Sequence, residues 1–104
     1  MPTVVVTAVF QPAPDRKDEL VAALRASIPA VHDEDGCRLY AIHDAQDGTI
    51  TMIEKWDSRE ALAAHAAGPA VKALQAAVAG LVAGPATVTT MDPLPAGTAE
   101  QGEL

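Results

Sequence analysis

Asp47-Gly48 lies between two runs, Arg38 to His43 and Thr49 to Trp56, that are rich in β-branched and aromatic residues. Both turn residues tolerate a positive φ, so the pair predicts a tight hairpin joining two antiparallel strands. The other segments must then be arranged around this hairpin. Val4-Val5-Val6-Thr7-Ala8-Val9-Phe10, bounded by proline on both sides, predicts an earlier strand. Between that strand and the hairpin, Leu20, Leu24, Ile28 and Val31 recur on one face of a predicted helix. Asp15 is placed to cap this helix, Pro29 should kink or end its last turn, and Gly36 suits a left-handed exit. After the hairpin, Asp57 and Glu60 read as a capping pair for an alanine-rich helix running to Ala67. Gly68-Pro69 ends it and starts a second helical segment, whose apolar face is Val71, Leu74, Val78, Leu81 and Val82. Gly84-Pro85 breaks that segment, and Thr87 to Met91 predicts a short last strand.

The order strand, helix, strand, strand, helix, strand is the split βαβ arrangement of a ferredoxin-like α+β sandwich. Helices cover one face of such a sheet, yet both parities of the strands are apolar. Val5 and Val9 alternate with Val4, Val6 and Phe10, and Thr51 and Ile53 alternate with Ile50 and Met52. The second face therefore needs a cover, and the simplest is the same face of a second copy, giving a homodimer with a shared α/β barrel-like core. Residues 1–91 form the predicted domain. Residues 92–104 hold two prolines, two glycines and little apolar bulk, and are expected to be a flexible tail or to drape over the partner.

With 104 residues the chain can bury one core but not a separate cofactor-binding domain. Its net charge is −7, and no stretch gathers Lys and Arg into a patch, which argues against nucleic acid and anionic membrane as partners. The single cysteine, Cys37, fits a reducing, cytoplasmic compartment. The apolar runs Thr3 to Phe10 and Ala76 to Ala86 are both shorter than the roughly 20 residues of a membrane helix.

The chemistry-bearing residues concentrate in the middle of the chain. Tyr40 and Trp56 are the only Tyr and Trp, and His65 follows Trp56 by nine residues. Glu54 shares a strand face with Trp56 by the period of two, and His65 lies about two turns into the next helix. His65 reads either as a packed helical residue or as a general base, and Trp56 as a core or interface anchor or a pocket wall. Tyr40 reads as a half-buried strand aromatic or a hydrogen-bond donor, and Glu54 as an edge carboxylate paired with Arg38 or Lys55 or a supporting group of the site. Glu34, beside Gly36, reads as a solvated carboxylate at a helix end. His32, Cys37, His43 and His65 have no metal-ligand spacing, and there is no G-x-G-x-x-G, P-loop or G-x-S-x-G. These residues give no motif support for a metal or a nucleotide cofactor.

The stretches Glu34-Asp-Gly-Cys-Arg-Leu-Tyr40 and Ile53-Glu-Lys-Trp56-Asp-Ser-Arg-Glu-Ala-Leu-Ala-Ala-His65 resemble antibiotic biosynthesis monooxygenase domain proteins, and the likeness runs from about Val4 to Met91. The pattern is most similar to the quinol monooxygenase branch. That resemblance implies a ferredoxin-like homodimer and an oxygenation that needs no cofactor: a quinol, phenol or anthrone-like polyketide is deprotonated, reacts with O₂ and becomes a quinone. It implies His65 as the base, with Trp56, Tyr40 and Glu54 around the substrate. Heme-degrading relatives would need ligand and pocket residues where this chain has Thr7, His65 and Gln75, and Gln75 is no iron ligand. The alternatives are a non-enzymatic dimer that binds a small molecule and an isomerase-type relative acting on a small metabolite.

Overall fold

A computed structural model describes residues 2–104 of the chain. The elements are β1 (Val4–Phe10), α1 (Lys17–His32), β2 (Cys37–Asp44), β3 (Ile50–Trp56), α2 (Arg59–Ala67), α3 (Pro69–Val78), β4 (Thr87–Met91) and a single turn, α4 (Ala99–Gly102). The four strands form one sheet in the order β2-β3-β1-β4, and every neighbouring pair is antiparallel. This is the α+β ferredoxin-like topology expected from the element order.

The hairpin forms as its turn chemistry dictates. Gly48 has φ 90°, and the Asp47 carboxylate accepts hydrogen bonds from the Thr49 N–H at 3.0 Å and the Thr49 hydroxyl at 2.6 Å. The resulting register sets Tyr40 opposite Glu54 and Cys37 opposite Trp56, with a bulge between Cys37 and Leu39. The bulge offsets the parity of β2 so that Tyr40 turns inward.

Strand alternation decides what the core contains. Val4, Val6, Ala8 and Phe10 of β1 and Ile50, Met52, Glu54 and Trp56 of β3 are buried, together with Leu20, Leu24, Ile28 and Val31 of α1 and Leu74 and Val78 of α3. The alternate positions Val5, Thr7, Val9, Thr51, Ile53 and Lys55 lie on the opposite face and are only half-buried. All five residues of β4 are exposed, with Val88 at 61 %. The tail beyond β4 is mostly exposed and is tied back by an Arg59–Asp92 ion pair of 2.6 Å.

Three local expectations are corrected. Asp15 does not cap α1: it adopts φ 63°, and Arg16 is the N-cap without a side-chain cap bond. Pro29 does not end the helix, which runs on to His32; the carbonyl it leaves unbonded belongs to Arg25, on the exposed side where water can satisfy it. Ser58 rather than Asp57 caps α2, accepting the Ala61 N–H at 3.1 Å, because Asp57 is engaged with Arg38 of β2. Gly68-Pro69 acts as expected. The Gly68 N–H closes α2 on the His65 carbonyl at 3.0 Å, and Pro69 opens α3.

Candidate functional site

Between the inward sheet face and helices α2 and α3 lies a cavity of about 570 Å³. Most of its lining is apolar, with Val6, Ala8 and Phe10 on the sheet and Leu62, Leu74 and Val78 on the helices. Tyr40, Glu54 and His65 are the buried polar residues of that lining. Exposed Val88 and Thr90 form a rim on β4.

Three elements bring these side chains together. Tyr40 comes from β2 and Glu54 from the facing position on β3. His65 comes from the last turn of α2, which the Ser58 cap and the Gly68 stop hold to nine residues. The His65 ring lies 5.4 Å from that of Tyr40 at 67°, and 4.5 Å from that of Trp56 at 33°. Tyr40 meets Trp56 edge-on at 6.3 Å.

Hydrogen bonding determines which atoms are free to act. Trp56 Nε1–H donates to Glu54 Oε1 at 2.9 Å, and His65 Nδ1 bonds Glu34 Oε1 at 2.7 Å. No buried side-chain nitrogen or oxygen among the described residues is left without a partner. His65 Nε2, the Tyr40 hydroxyl and Glu54 Oε2 have no protein partner, so each must reach accessible space, and the cavity is the space these three residues line. Burial raises the Tyr40 phenol well above its ordinary value of 10, helped by the nearby carboxylates of Glu54 and Glu34, so it stays a protonated donor. Burial also raises the Glu54 carboxyl, against the lowering effects of the Trp56 bond and of His65. Cys37 is raised in the same way, by burial and by Glu34 and Glu54.

Of the four residues singled out in the sequence, Tyr40, Glu54 and His65 converge on the cavity. Trp56 does not form a wall of it. Fully buried, Trp56 stands one layer behind, stacked on His65 and bonded to Glu54. Glu34 is the residue that local reading misses: instead of facing water at a helix end, it reaches His65 across 31 positions of sequence. Its one sequence signal is its place at the head of the Glu34 to Tyr40 stretch. Gln75 lines the cavity from α3, but Thr7 alternates with Val6 and Ala8 and so faces the other side of the sheet. The positions matching a heme-degrading relative therefore do not share one site. Among the described residues there is no cluster of three or more His, Cys, Asp or Glu arranged to hold a metal ion, and no helix is long and apolar enough to cross a membrane.

Residues 3–77 match the family model described as Antibiotic biosynthesis monooxygenase. The chain belongs to this family. Proteins similar to this antibiotic biosynthesis monooxygenase family member agree with it in fold, and some also in sequence. The Mycobacterium tuberculosis protein named "Putative monooxygenase Rv0793" is 38 % identical over 92 residues, covering 88 % of this chain and 91 % of the relative. The solved structure of Rv0793 superposes with a TM-score of 0.82 at 36 % identity, covering 92 % of this chain and 99 % of that one. SO0527 of Shewanella oneidensis gives a TM-score of 0.77 at 27 % identity over 86 % of this chain and 89 % of its own. NE2512 of Nitrosomonas europaea, at 19 % identity, shares the fold with a TM-score of 0.81 over 94 % and 95 % of the two chains.

Proposed function

We propose that this chain is a cofactor-independent monooxygenase that oxidises a quinol, phenol or anthrone-like polyketide with O₂ to a quinone. The observation that carries this reading is that Tyr40, Glu54 and His65, whose hydroxyl, Oε2 and Nε2 have no protein partner, line a mostly apolar cavity of about 570 Å³. An aromatic substrate fits the apolar walls, and its hydroxyl group meets the polar end.

His65 Nε2 takes the proton of the substrate's acidic O–H or C–H group. The Tyr40 hydroxyl donates a hydrogen bond to the oxygen that carries the developing anion. The electron-rich anion passes an electron to O₂, the pair recombines as a peroxide anion on a ring carbon, and the proton held by His65 returns to it to give a hydroperoxide. Loss of the remaining hydrogen from that carbon, with cleavage of the O–O bond, leaves a carbonyl and releases water. One oxygen atom enters the product, the other leaves as water, and all four electrons come from the substrate. The apolar lining keeps bulk water from the intermediate.

The lining contains no Lys or Arg and includes the Glu54 carboxylate, which supports a neutral aromatic over the phosphorylated substrate of an isomerase. We further propose that a second copy covers the half-buried face bearing Val5, Val9 and Ile53, so that the working unit is a cytoplasmic homodimer. Oxygen-electrode assays with 1,4-naphthohydroquinone and anthrone, combined with ¹⁸O₂ labelling, test the reaction. One ¹⁸O per product molecule, lost in His65→Ala, is expected. Tight ligand binding without oxygen uptake would replace this reading with a binding protein, and a product isomeric with its substrate would replace it with an isomerase.

A further inference from the structure

The His65–Glu34 contact is better engineered than a chance pair at a helix end. Glu34 follows α1 and belongs to a short segment pinned against α2. Gly36 takes φ 81°, and its backbone lies so close to α2 that a Cβ at that position would stand 2.6 Å from the Ala61 Cβ. The Gly36 carbonyl accepts the Asp57 N–H at 2.8 Å, and Asp57 in turn pairs with Arg38. At the far end of α2, a Cβ on Gly68 would stand 3.2 Å from Glu34 Oε2 and 3.1 Å from the Ala64 carbonyl. Two glycines thus allow the segment and the carboxylate to approach the helix that carries His65. The pair itself is enclosed, with side-chain exposures of 6 % for His65 and 21 % for Glu34.

We infer that Glu34 is a positioning residue that sets the tautomer of His65, holding the proton on Nδ1 and leaving Nε2 bare toward the cavity. A carboxylate only accepts hydrogen bonds, so at 2.7 Å the Nδ1 atom must be the donor. A neutral imidazole carries one proton, and placing it on Nδ1 makes Nε2 an acceptor. A free imidazole side chain prefers the opposite arrangement, with the proton on Nε2, in which the atom facing the cavity could not act as a base. The Trp56 ring at 4.5 Å prevents the imidazole from turning over to exchange its two nitrogens. The other groups against the ring are Tyr40 at the side and Glu54, which is itself occupied on one oxygen by Trp56. Neither of them contacts Nδ1.

The role in oxygenation rests on the function proposed above, but the tautomer can be read without it. Two-dimensional ¹⁵N NMR of the neutral His65 ring is expected to show a protonated Nδ1 in the wild type. It should show a shift toward protonated Nε2 in Glu34→Ala and recovery in Glu34→Asp. Oxygen uptake with 1,4-naphthohydroquinone should fall in Glu34→Ala mainly through kcat, by at least about tenfold and up to the ~10⁴-fold loss known for a wrong tautomer in a Ser-His-Asp triad, with partial rescue in Glu34→Asp. A protonated Nε2 in the wild type, or the same tautomer in wild type and Glu34→Ala, overturns the inference. If Glu34→Ala does not fold, Gly68→Ala, which crowds Glu34 Oε2, should produce the same shift in part. The expected tautomers with no oxygen uptake in any variant would reject the monooxygenase and leave the positioning role standing.

Discussion

Trp56 Nε1–H donates to Glu54 Oε1 at 2.9 Å along a single inward strand face, so the largest side chain of the core and its one buried carboxylate form a unit. Trp56 supplies the donor that makes the carboxylate tolerable, and the same indole presents its face to His65. Trp56→Phe keeps most of the volume but leaves Glu54 unpaired. A loss of about 2–3 kcal/mol in urea unfolding is expected, from the unsatisfied acceptor and the small void together.

Stability should fall as pH rises through the titration of Glu54. Its carboxyl is raised above the ordinary value of 4.5, chiefly by burial, so the folded state holds the proton more tightly than the unfolded state. The favourable contribution is complete below about 4.5 and is lost as pH climbs through the folded value. Asp47 acts in the opposite sense and only below its ordinary 3.8, because its bonds from Thr49 lower it, so the two effects occupy separate windows. Glu54→Gln, whose amide oxygen can still accept from Trp56, should flatten the pH dependence above 4.5 and be more stable than the wild type at neutral pH. Urea midpoints measured from pH 4 to 8 decide this.

Removing His65, the proposed base, should abolish turnover while sparing the fold. His65→Ala is expected to cost on the order of 10²–10⁴ in kcat with a little-changed far-UV spectrum. Tyr40→Phe should cost roughly tenfold in kcat/KM, the scale of one hydrogen bond. Because the Tyr40 phenol is raised well above 10, that loss should be constant from pH 6 to 9.

Gly36→Ala combines a left-handed backbone with a steric overlap at Ala61. A destabilisation of about 2–4 kcal/mol is expected from strain and overpacking together. Adding Ala61→Gly should recover the steric part but not the backbone part, and a double-mutant cycle would separate them.

The outer sheet face offers a test of assembly. Ile53→Glu places a charge among the half-buried Thr7, Val9 and Ala41 of the neighbouring strands. Analytical ultracentrifugation is expected to show a dimer for the wild type and a monomer for the variant, with helix and strand content retained.

The fold was largely legible in the sequence because its signals are local. Gly48 acts through its positive φ, Asp47 through its bonds from Thr49, Gly68-Pro69 by closing one helix and opening the next, and the β-branched runs through strand alternation. The caps were less legible, since Asp57 and Ser58 are equally good candidates until Arg38 engages one of them across the sheet. Glu34 was hidden for a deeper reason. Its partner lies 31 residues away, and the approach depends on Gly36 and Gly68 having no side chains, which only packing reveals. The strand period placed Trp56 on the right face, but the depth at which it sits behind His65 depends on how α2 docks.

The break at Gly68-Pro69 divides labour within the pocket. His65 and its partner Glu34 are settled on one side of the break, while Val71, Leu74, Gln75 and Val78 on α3 shape the opposite wall. Substitutions along α3 can therefore change the shape of the cavity without touching the His65–Glu34 pair, so fit and pairing can vary independently.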